Sequence, residues 1–373
     1  LKEELERASL SVRRGGAWCC ALGLDSASSP KSTAATAAAD VNQEKLYREL
    51  RERLAAPLVK RGSRAAPVAA VYWEDLGGLD GPRSEILDVI QLPTLYPHLF
   101  AAGAPRTRGV LLFGPPGTGK TLVAKAVATE CQVGFMSIKG PELLDAYVGE
   151  SEKNVRMVFE EARRTAPTVI FFDELDSLAP ARGRSSDGGG VMDRIVSQLL
   201  TEMDTISANG DPDKTVFVIG ATNRPDLLDA ALLRPGRLDK RIFLGPMETL
   251  QSKAAVLTAQ TRNMKLASCV DLSTVAAALP ELVTGADIGA CTQAAYQRAL
   301  GRRLRSLEEE ARRSAGDPAA DMWTVASYVN ALPADSPLLT VEVEQEDLVD
   351  SARAVTPAMD KRDLARYLAL KEF

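Results

Sequence analysis

The sequence contains a single histidine, His98, among 373 residues. This count excludes a zinc site built from two or three histidines, and with it peptidase chemistry of the HExxH type. A Ser-His-Asp triad would have to use His98, and no nucleophile motif lies near it. We therefore expect any chemistry in this protein to proceed without imidazole.

Cysteines and long apolar stretches are also scarce. The five cysteines are odd in number and show no CxxC spacing, which favours reduced thiols over a disulfide framework. No apolar run approaches the roughly 18 residues that span a bilayer, so we expect only peripheral membrane contact. The first residue is Leu and no signal peptide follows it, so we expect the sequence to be a piece of a longer protein.

Positive charge is not in excess. Lys and Arg total 45 against 50 for Asp and Glu, a net charge of −5 that argues against a nucleic-acid partner bound by bulk electrostatics. Hydrophobic residues make up 45% of the chain, which predicts folded cores rather than disorder. The length predicts two or three domains.

The character of the sequence changes near residue 70. Residues 1–70 combine an Ala/Ser/Gly-rich stretch with one narrow stripe of leucines at helical spacing, which predicts a linker with a short helix. From residue 71, short apolar runs alternate with helical segments, and this predicts a three-layer α/β domain over 71–246. Helical periodicity dominates afterwards, so we expect 247–373 to form a smaller helical domain.

Five short apolar runs are predicted to be strands of a parallel sheet covered on both faces. These runs are 110–113, 134–138, 168–172, 215–219 and 241–244. The predicted helices between and after them are 120–130, 154–164, 191–203, 286–313 and 357–373.

The segment 114–121 reads GPPGTGKT and matches the phosphate-binding pattern GxxxxGK[ST] between a predicted strand and a predicted helix. Its glycines let backbone N–H groups converge on phosphate oxygens, and the helix N-terminus adds partial positive charge. Lys120 is expected to reach the β- and γ-phosphates, and Thr121 is expected to ligate Mg²⁺. The predicted cradle comprises Gly114, Pro115, Pro116, Gly117, Thr118, Gly119, Lys120, Thr121 and Leu122.

Polar residues follow two further predicted strands. The run 168–172 leads into Asp173, which suits a Mg²⁺ contact, and Glu174, which suits a base that polarises the attacking water. The run 215–219 leads towards Asn223, whose amide could orient that water and sense the γ-phosphate. Because carboxyl ends of parallel strands share one crevice, these side chains are expected to converge. Glu174 after Asp173 favours an ATPase over a GTPase, and the sequence contains no NKxD-type segment of the kind that recognises guanine.

In this order, these elements resemble the AAA ATPase family over roughly residues 70–373. The segment 73–78, WEDLGG, matches a motif of that family, and the resemblance implies adenine contacts at Asp75, Leu76 and Gly77. It also implies that Gly285 and Ala286 of a lid helix pack against the nucleotide. The segment 232–237, LLRPGR, is similar to the arginine-finger motif, which implies that Arg234 and Arg237 reach the γ-phosphate of a neighbouring protomer.

The segment 139–151 resembles the first pore loop of the family. The resemblance implies that Tyr147 and Val148 line the channel of a hexamer, where an aromatic side chain grips an extended polypeptide. The segment 181–190 is similar to the second pore loop. One departure lies at 204–206, where Asp-Thr-Ile replaces the usual Asp-Gly-Phe in a segment that links one subunit's site to its neighbour.

Within the family, residues 174–200 and the tail 364–373 are most similar to ATPases of peroxisome biogenesis. The likeness implies a Mg²⁺-dependent ATPase that threads or extracts proteins through a hexamer pore, in the cytosol and on the cytosolic face of the peroxisomal membrane. It implies three partners: a sister peroxisomal AAA ATPase in a hetero-hexamer, a peroxisomal membrane anchor protein, and ubiquitinated import receptors as polypeptide substrates. Residues 1–70 would then include the end of an upstream ATPase domain.

Other functions stay open. One alternative is a general segregase or SNARE-disassembling AAA ATPase with other cargo. A second, of another class, is a nucleotide-gated scaffold with little hydrolysis, against which the complete set of predicted catalytic residues argues. Microtubule severing fits the C-terminal tail poorly, and a DNA clamp loader is disfavoured by the acidic charge balance and by the lack of an arginine near Gly285.

Overall fold

The computed structural model describes residues 71–95, 107–143, 150–180, 189–208, 215–315, 329–330, 332–333 and 336–371. The chain divides into two units, Leu1–Lys60 and Arg61–Phe373, and every described residue belongs to the second unit. The predicted linker over 1–70 therefore lies outside the described residues.

Five parallel strands form one sheet, in the order β2-β3-β4-β1-β5. They are β1 (Gly109–Phe113), β2 (Gly134–Lys139), β3 (Thr168–Asp173), β4 (Val216–Thr222) and β5 (Lys240–Phe243). Each corresponds to a predicted strand with small shifts at its ends, so the five-stranded parallel sheet is confirmed. The three inner strands are almost wholly buried, as their continuous apolar runs predict.

The helices alternate with the strands and then continue alone. They are α1 (Asp80–Leu95), α2 (Lys120–Cys131), α3 (Glu150–Arg164), α4 (Leu175–Leu178), α5 (Gly189–Ala208), α6 (Leu250–Thr261), α7 (Leu272–Ala278), α8 (Gly285–Ala315), α9 (Gln345–Ala354) and α10 (Lys361–Lys371). The predicted helix 357–373 begins later than expected, at Lys361. The reason is local, because the Asp360 carboxylate accepts the N–H groups of Arg362 and Asp363 and caps the helix there.

The period-two alternation of the strands divides the core between the two faces of the sheet. On β3, Val169 and Phe171 point to the face covered by α2, while Ile170 and Phe172 point to the face covered by α3 and α5. The ring of Phe159 from α3 stacks on Phe172 with centroids 6.0 Å apart. The result is the three-layer α/β core that the sequence predicts.

The helices after β5 share the apolar core on the α2 face of the sheet. Their buried residues in that core include Val256, Val275, Ile288 and Leu348. This packing brings the start of α8 against the loop between β1 and α2. Among the described helices, none combines the length and the apolarity that crossing a membrane requires.

Candidate nucleotide-binding site

The loop between β1 and α2 lies at the carboxyl edge of the central strand. Gly117 and Gly119 have φ angles of 80° and 86°, in the left-handed region that favours glycine. A β-carbon on Gly117 would lie 2.7 Å from the Ala286 β-carbon. The hydroxyl of Thr118 donates to the Pro115 carbonyl at 3.0 Å and closes the turn. Backbone geometry and close contact together require glycine at residue 117.

Lys120 is the buried charge of this loop. Its Nζ donates to the carbonyl oxygens of Gly114 at 2.9 Å and Pro115 at 2.7 Å. Burial lowers the pKa of Lys120 from its ordinary 10.5 to about 8, and the nearby carboxylates of Asp173 and Asp176 oppose this effect. An anionic ligand beside Nζ would restore the charged form.

Thr121 and Asp173, the two predicted Mg²⁺ ligands, are in direct contact. The Thr121 hydroxyl donates to Asp173 Oδ2 at 2.8 Å, although the residues are 52 positions apart. The other carboxylate oxygen of Asp173 accepts the Glu174 N–H at 3.0 Å. A hydroxyl beside a carboxylate is a donor set that suits Mg²⁺, so these residues fit the cation that the sequence predicts.

Glu174 has a backbone conformation that the sequence does not reveal. Its φ of 54° and ψ of 48° lie in the left-handed region, where a residue with a β-carbon is strained by about 1–2 kcal/mol. The turn is held because the Glu174 carbonyl accepts both the N–H of Ser177 at 3.0 Å and its hydroxyl at 2.8 Å. The Glu174 carboxylate is exposed and accepts no hydrogen bond from the other described residues. Strain of this kind is typical of functional positions.

The end of β4 places Asn223 in the same crevice. The preceding residue, Thr222, donates its hydroxyl to Asp176 Oδ1 at 2.7 Å and so connects β4 to α4. The Asn223 Oδ1 atom is buried and has no hydrogen-bond partner among the described residues. Asp176 was not identified from the sequence. Its only local signal is the spacing of three from Asp173, which places a third carboxylate one turn into α4.

The predicted adenine-contacting residues precede α1. Asp75 Oδ2 accepts the N–H of Tyr72 at 2.9 Å, and Asp75 Oδ1 accepts from Arg262 at 3.1 Å. Leu76 is half-buried and packs against the core. A β-carbon on Gly77 would lie 2.3 Å from the backbone of Ala255, so this segment lies directly on α6. The predicted adenine contacts therefore lie between the sheet and the helical part of the chain.

The start of α8 meets the phosphate loop. The Ala286 N–H donates to the Gly117 carbonyl at 3.0 Å, so the predicted lid residues touch the predicted cradle. Thr284 and Asp287 form the reciprocal hydrogen bonds of a capping box at the start of α8.

Gln260 of α6 was missed by sequence reasoning. Its side-chain nitrogen donates to the Gly285 carbonyl at 2.8 Å, and its Oε1 atom is buried with no partner among the described residues. No motif marks this residue, because its position depends on the packing of α6 against α8.

The two predicted arginine fingers differ in their surroundings. Arg234 is exposed and makes no ion pair with another described residue. Arg237 makes a bidentate pair with Asp204, with both N···O distances 2.8 Å, and donates to the Ala231 carbonyl at 2.6 Å. The hydrogen bonds from Arg237 lower the pKa of Asp204. In the segment 204–206, where the sequence differs from the family pattern, Asp204 therefore pairs with the predicted arginine finger Arg237, and Ile206 is buried in the core.

The predicted pore-loop residues Tyr147 and Val148 lie outside the described residues, as does most of the predicted second pore loop, 181–188. Of the remaining predicted site residues, the cradle, Asp173, Glu174 and Asn223 follow the carboxyl ends of β1, β3 and β4, and the start of α8 touches the cradle. The segment 75–77 lies on α6.

Comparison with known families agrees with this geometry. Residues 110–246 match the profile of the ATPase family associated with various cellular activities (AAA). The chain contains an AAA domain. The match begins in β1 and ends just beyond β5, so it covers the sheet, the cradle, Glu174, Asn223 and both arginines.

Relatives of the AAA domain extend the likeness into the helical part. The chain is 50% identical over 303 residues to a protein of Rattus norvegicus named peroxisomal ATPase PEX6, covering 81% of this chain and 28% of that relative. It is 49% identical over 300 residues to the protein of that name in Schizosaccharomyces pombe, covering 80% and 31%. Identity to the Dictyostelium discoideum protein of that name is 54% over 240 residues, covering 64% and 20%. The chain thus spans less than a third of each relative.

Proposed function

We propose that the chain is an ATP-hydrolysing AAA mechanoenzyme, with residues 71–246 as its catalytic domain and 247–373 as its lid. The observation that carries the proposal is the 2.8 Å hydrogen bond between Thr121 and Asp173. It joins the start of α2 to the end of β3, immediately beside Glu174. The phosphate loop and the carboxylate at the end of β3 can bind the same nucleotide and its cation only if they lie in contact, and this hydrogen bond joins them.

The phosphates are bound by the loop and by Lys120. The left-handed backbone at Gly117 and Gly119 directs amides into the cradle, and Nζ exchanges its carbonyl partners for phosphate oxygens. Thr121 and Asp173 hold the cation, and Mg²⁺, when bound, neutralises charge on the transferring phosphoryl group. These groups therefore position the phosphates and balance their charge.

Glu174 removes the proton from the attacking water. Its carboxylate suits this task because it is exposed and unpaired among the described residues, while its main chain is held by Ser177. Asn223 orients the same water through its amide. Attack at the γ-phosphorus breaks the bond to the β-phosphate oxygen and releases ADP and phosphate. A carboxylate base contributes about 10²–10⁴ in rate.

The adenine lies between the segment of Asp75, Leu76 and Gly77 and the start of α8. Bound nucleotide affects the lid through direct contact, because the Ala286 N–H donates to the Gly117 carbonyl at 3.0 Å. A change in the cradle is thereby transmitted to α8.

Arg234 and Arg237 act on the nucleotide of a neighbouring protomer in a hexamer. The exposure of Arg234 supports this role, because a side chain without a local partner is available to another subunit. Arg237 would have to exchange Asp204 for phosphate oxygens. In related NTPases an arginine supplied in trans contributes about 10³–10⁵ in rate.

We infer that the biological role is recycling of matrix-protein import receptors from the peroxisomal membrane. The support is the likeness to relatives named peroxisomal ATPases, at close to half identity over most of this chain. The partners would be a sister peroxisomal ATPase, a membrane anchor protein and ubiquitinated receptors, which Tyr147 and Val148 grip in the pore. The protein would act in the cytosol and at the cytosolic face of that membrane.

The catalytic assignment is tested by Glu174→Gln. The variant should bind ATP like the wild type, while its turnover falls by at least about 100-fold. Glu308→Gln makes the same chemical change on the exposed surface of α8 and should hydrolyse normally. Turnover of Glu174→Gln within a few-fold of wild type contradicts the assignment.

Glu174→Gln also tests the biological role, because a variant that binds ATP without hydrolysing it should stay bound to its partner subunits and substrates. Capture of a second peroxisomal ATPase and ubiquitinated receptors supports the proposed role. Capture of SNARE proteins or other cargo alone would favour a general segregase. Binding of ATP without turnover by the wild-type chain, at every protein concentration and with the captured partner added, would favour a scaffold.

A further inference from the structure

The C-terminal helix α10 contacts the segment 222–226, which begins at the last residue of β4 and is here called the β4 turn. Tyr367 donates its phenolic hydroxyl to the backbone carbonyl of Asn223 at 2.8 Å, across 144 positions of sequence. The neighbouring Arg366 pairs with Asp226 at 3.0 Å. The last described helix of the chain is therefore bonded to the main chain of the residue that we propose to orient water.

The ring of Tyr367 is also fixed. Its centroid lies 6.4 Å from that of Phe243 on β5. The Phe243 ring lies 5.5 Å from that of Phe113, which immediately precedes the phosphate loop. A row of three rings thus connects the base of the cradle to the β4 turn and directs the Tyr367 hydroxyl at Asn223.

The β4 turn is held from two sides. On one side, the Thr222 hydroxyl donates to Asp176 at 2.7 Å. On the other, Tyr367 donates to the Asn223 carbonyl. The Asn223 Oδ1 atom itself is buried and accepts no hydrogen bond from a described residue. The orientation of the amide therefore depends on the main chain that these two contacts hold.

No described side chain of α10 is fully buried, so the Tyr367 hydrogen bond does not arise simply because this helix packs deeply in the core. Along α10, Leu364, Tyr367 and Leu370 are half-buried, and the other side chains that the structure describes there are exposed. Leu368 is 44% exposed. The ion pair of Lys361 with Glu281 is exposed on both sides and contributes little. Removal of the Tyr367 hydroxyl should leave the rest of the fold intact.

We propose that Tyr367 is a positioning residue for ATP hydrolysis: its hydroxyl holds the Asn223 main chain so that the side-chain amide faces the attacking water. The inference rests on the proposed function. Tyr367 acts through Asn223 and touches neither the nucleotide nor the cation. The helix α10 is thereby a C-terminal element of the catalytic site, which couples its docking to turnover.

The test is Tyr367→Phe in the full chain, at a protein concentration where wild-type turnover is saturated. The change keeps the ring and removes one neutral hydrogen bond, so kcat should fall about five-fold. KM for ATP should stay within error, because no nucleotide contact changes, and the melting temperature should fall by no more than about 4 °C, the effect of losing one neutral hydrogen bond. Leu368→Ala, on the adjacent exposed position, should retain wild-type kcat. Wild-type kcat in Tyr367→Phe, or an equal loss in Leu368→Ala, overturns the inference.

A double-mutant cycle separates positioning from general support. Asn223→Ala removes the amide and keeps the carbonyl that Tyr367 contacts. If Tyr367 acts through that amide, Tyr367→Phe should have no further effect on the residual kcat of Asn223→Ala. Losses that multiply overturn the inference even if the single variant is slow. A wild-type chain without ATPase activity overturns the proposed function and this inference together, whereas normal turnover with an unaffected Tyr367→Phe overturns only the inference.

Discussion

Nucleotide binding by this chain should take up a proton above pH 8, and Lys120 should be the group that accepts it. Burial lowers the Lys120 pKa from 10.5 to about 8. The charged form is thereby destabilised by roughly 3 kcal/mol relative to water. Phosphates beside Nζ add negative charge, which favours the ammonium and raises the pKa again.

The size of the effect follows from the pKa. At pH 8.5 about a quarter of unliganded chains carry the charge, against about nine tenths at pH 7. If Lys120 is fully charged with nucleotide bound, binding takes up about 0.75 proton at pH 8.5 and about 0.1 proton at pH 7. Affinity should then fall with pH above 8, towards about ten-fold per pH unit.

The lowered pKa of Lys120 also determines how the free energy of unfolding of the nucleotide-free protein changes with pH. Between pH 8 and pH 10.5 the unfolded chain holds a proton on Lys120 that the folded chain has lost. The contribution of Lys120 to the free energy of unfolding therefore rises with pH across this window. Lys120→Met lacks the titrating group and should lose this rise.

The assay is calorimetry with Mg²⁺ and ADP, which binds without turnover. Titrations at one pH in buffers of different ionisation enthalpy give the number of protons taken up. A second series at pH 7 is the internal control, since Lys120 is already charged there. Equal proton uptake at pH 7 and pH 8.5 would refute the reasoning, because the buried lysine would then keep its proton without the ligand.

Four other perturbations have distinct outcomes. Gly117→Ala should weaken ADP binding at least about ten-fold by calorimetry, because a β-carbon meets the lid in a left-handed backbone, whereas Gly81→Ala has open space and should bind normally. Asp204→Ala should lower the free energy of unfolding by less than about 1 kcal/mol in denaturant titrations, since its carboxylate is half exposed. Because the arginines are proposed to act on a neighbouring protomer, the wild-type ATPase rate should rise steeply with protein concentration, and Arg237→Ala should remove this rise. Tyr147→Ala should hydrolyse ATP yet fail to unfold a tagged substrate; unimpaired unfolding excludes the pore assignment.

The sheet and the cradle are predictable because their signals are local. The GxxxxGK[ST] pattern, the apolar runs and the strand-end carboxylates each lie within a few residues, and the five strands lie where these patterns indicate. The order β2-β3-β4-β1-β5 is not local, since it depends on which apolar faces pair in space. The late start of α10 was missed because the Asp360 cap outweighs the helical periodicity of the preceding residues.

The contacts that orient the candidate site were not predictable from local pattern. Asp176 contacts Thr222 from 46 positions away, and Arg237 reaches Asp204 across 33. The left-handed backbone of Glu174 escapes sequence reasoning for a related reason, because glutamate is not a residue that favours this conformation. Sequence identifies the chemical groups, and long-range packing determines their orientation.

These long-range contacts also define how the site can respond to nucleotide. The cradle is hydrogen-bonded to β3 through Thr121 and to the lid through Gly117. It is linked to α10 less directly, by the row of rings that begins at Phe113. Each contact includes or adjoins a residue that we propose to touch phosphate or cation. A ligand that displaces Lys120 from its carbonyl partners changes the segment that contains Gly117 and Thr121 and that directly follows Phe113. We therefore expect hydrolysis and movement of the lid to be coupled through the main chain of one nine-residue segment, 114–122, because the Gly117 carbonyl of that segment accepts the Ala286 N–H of the lid.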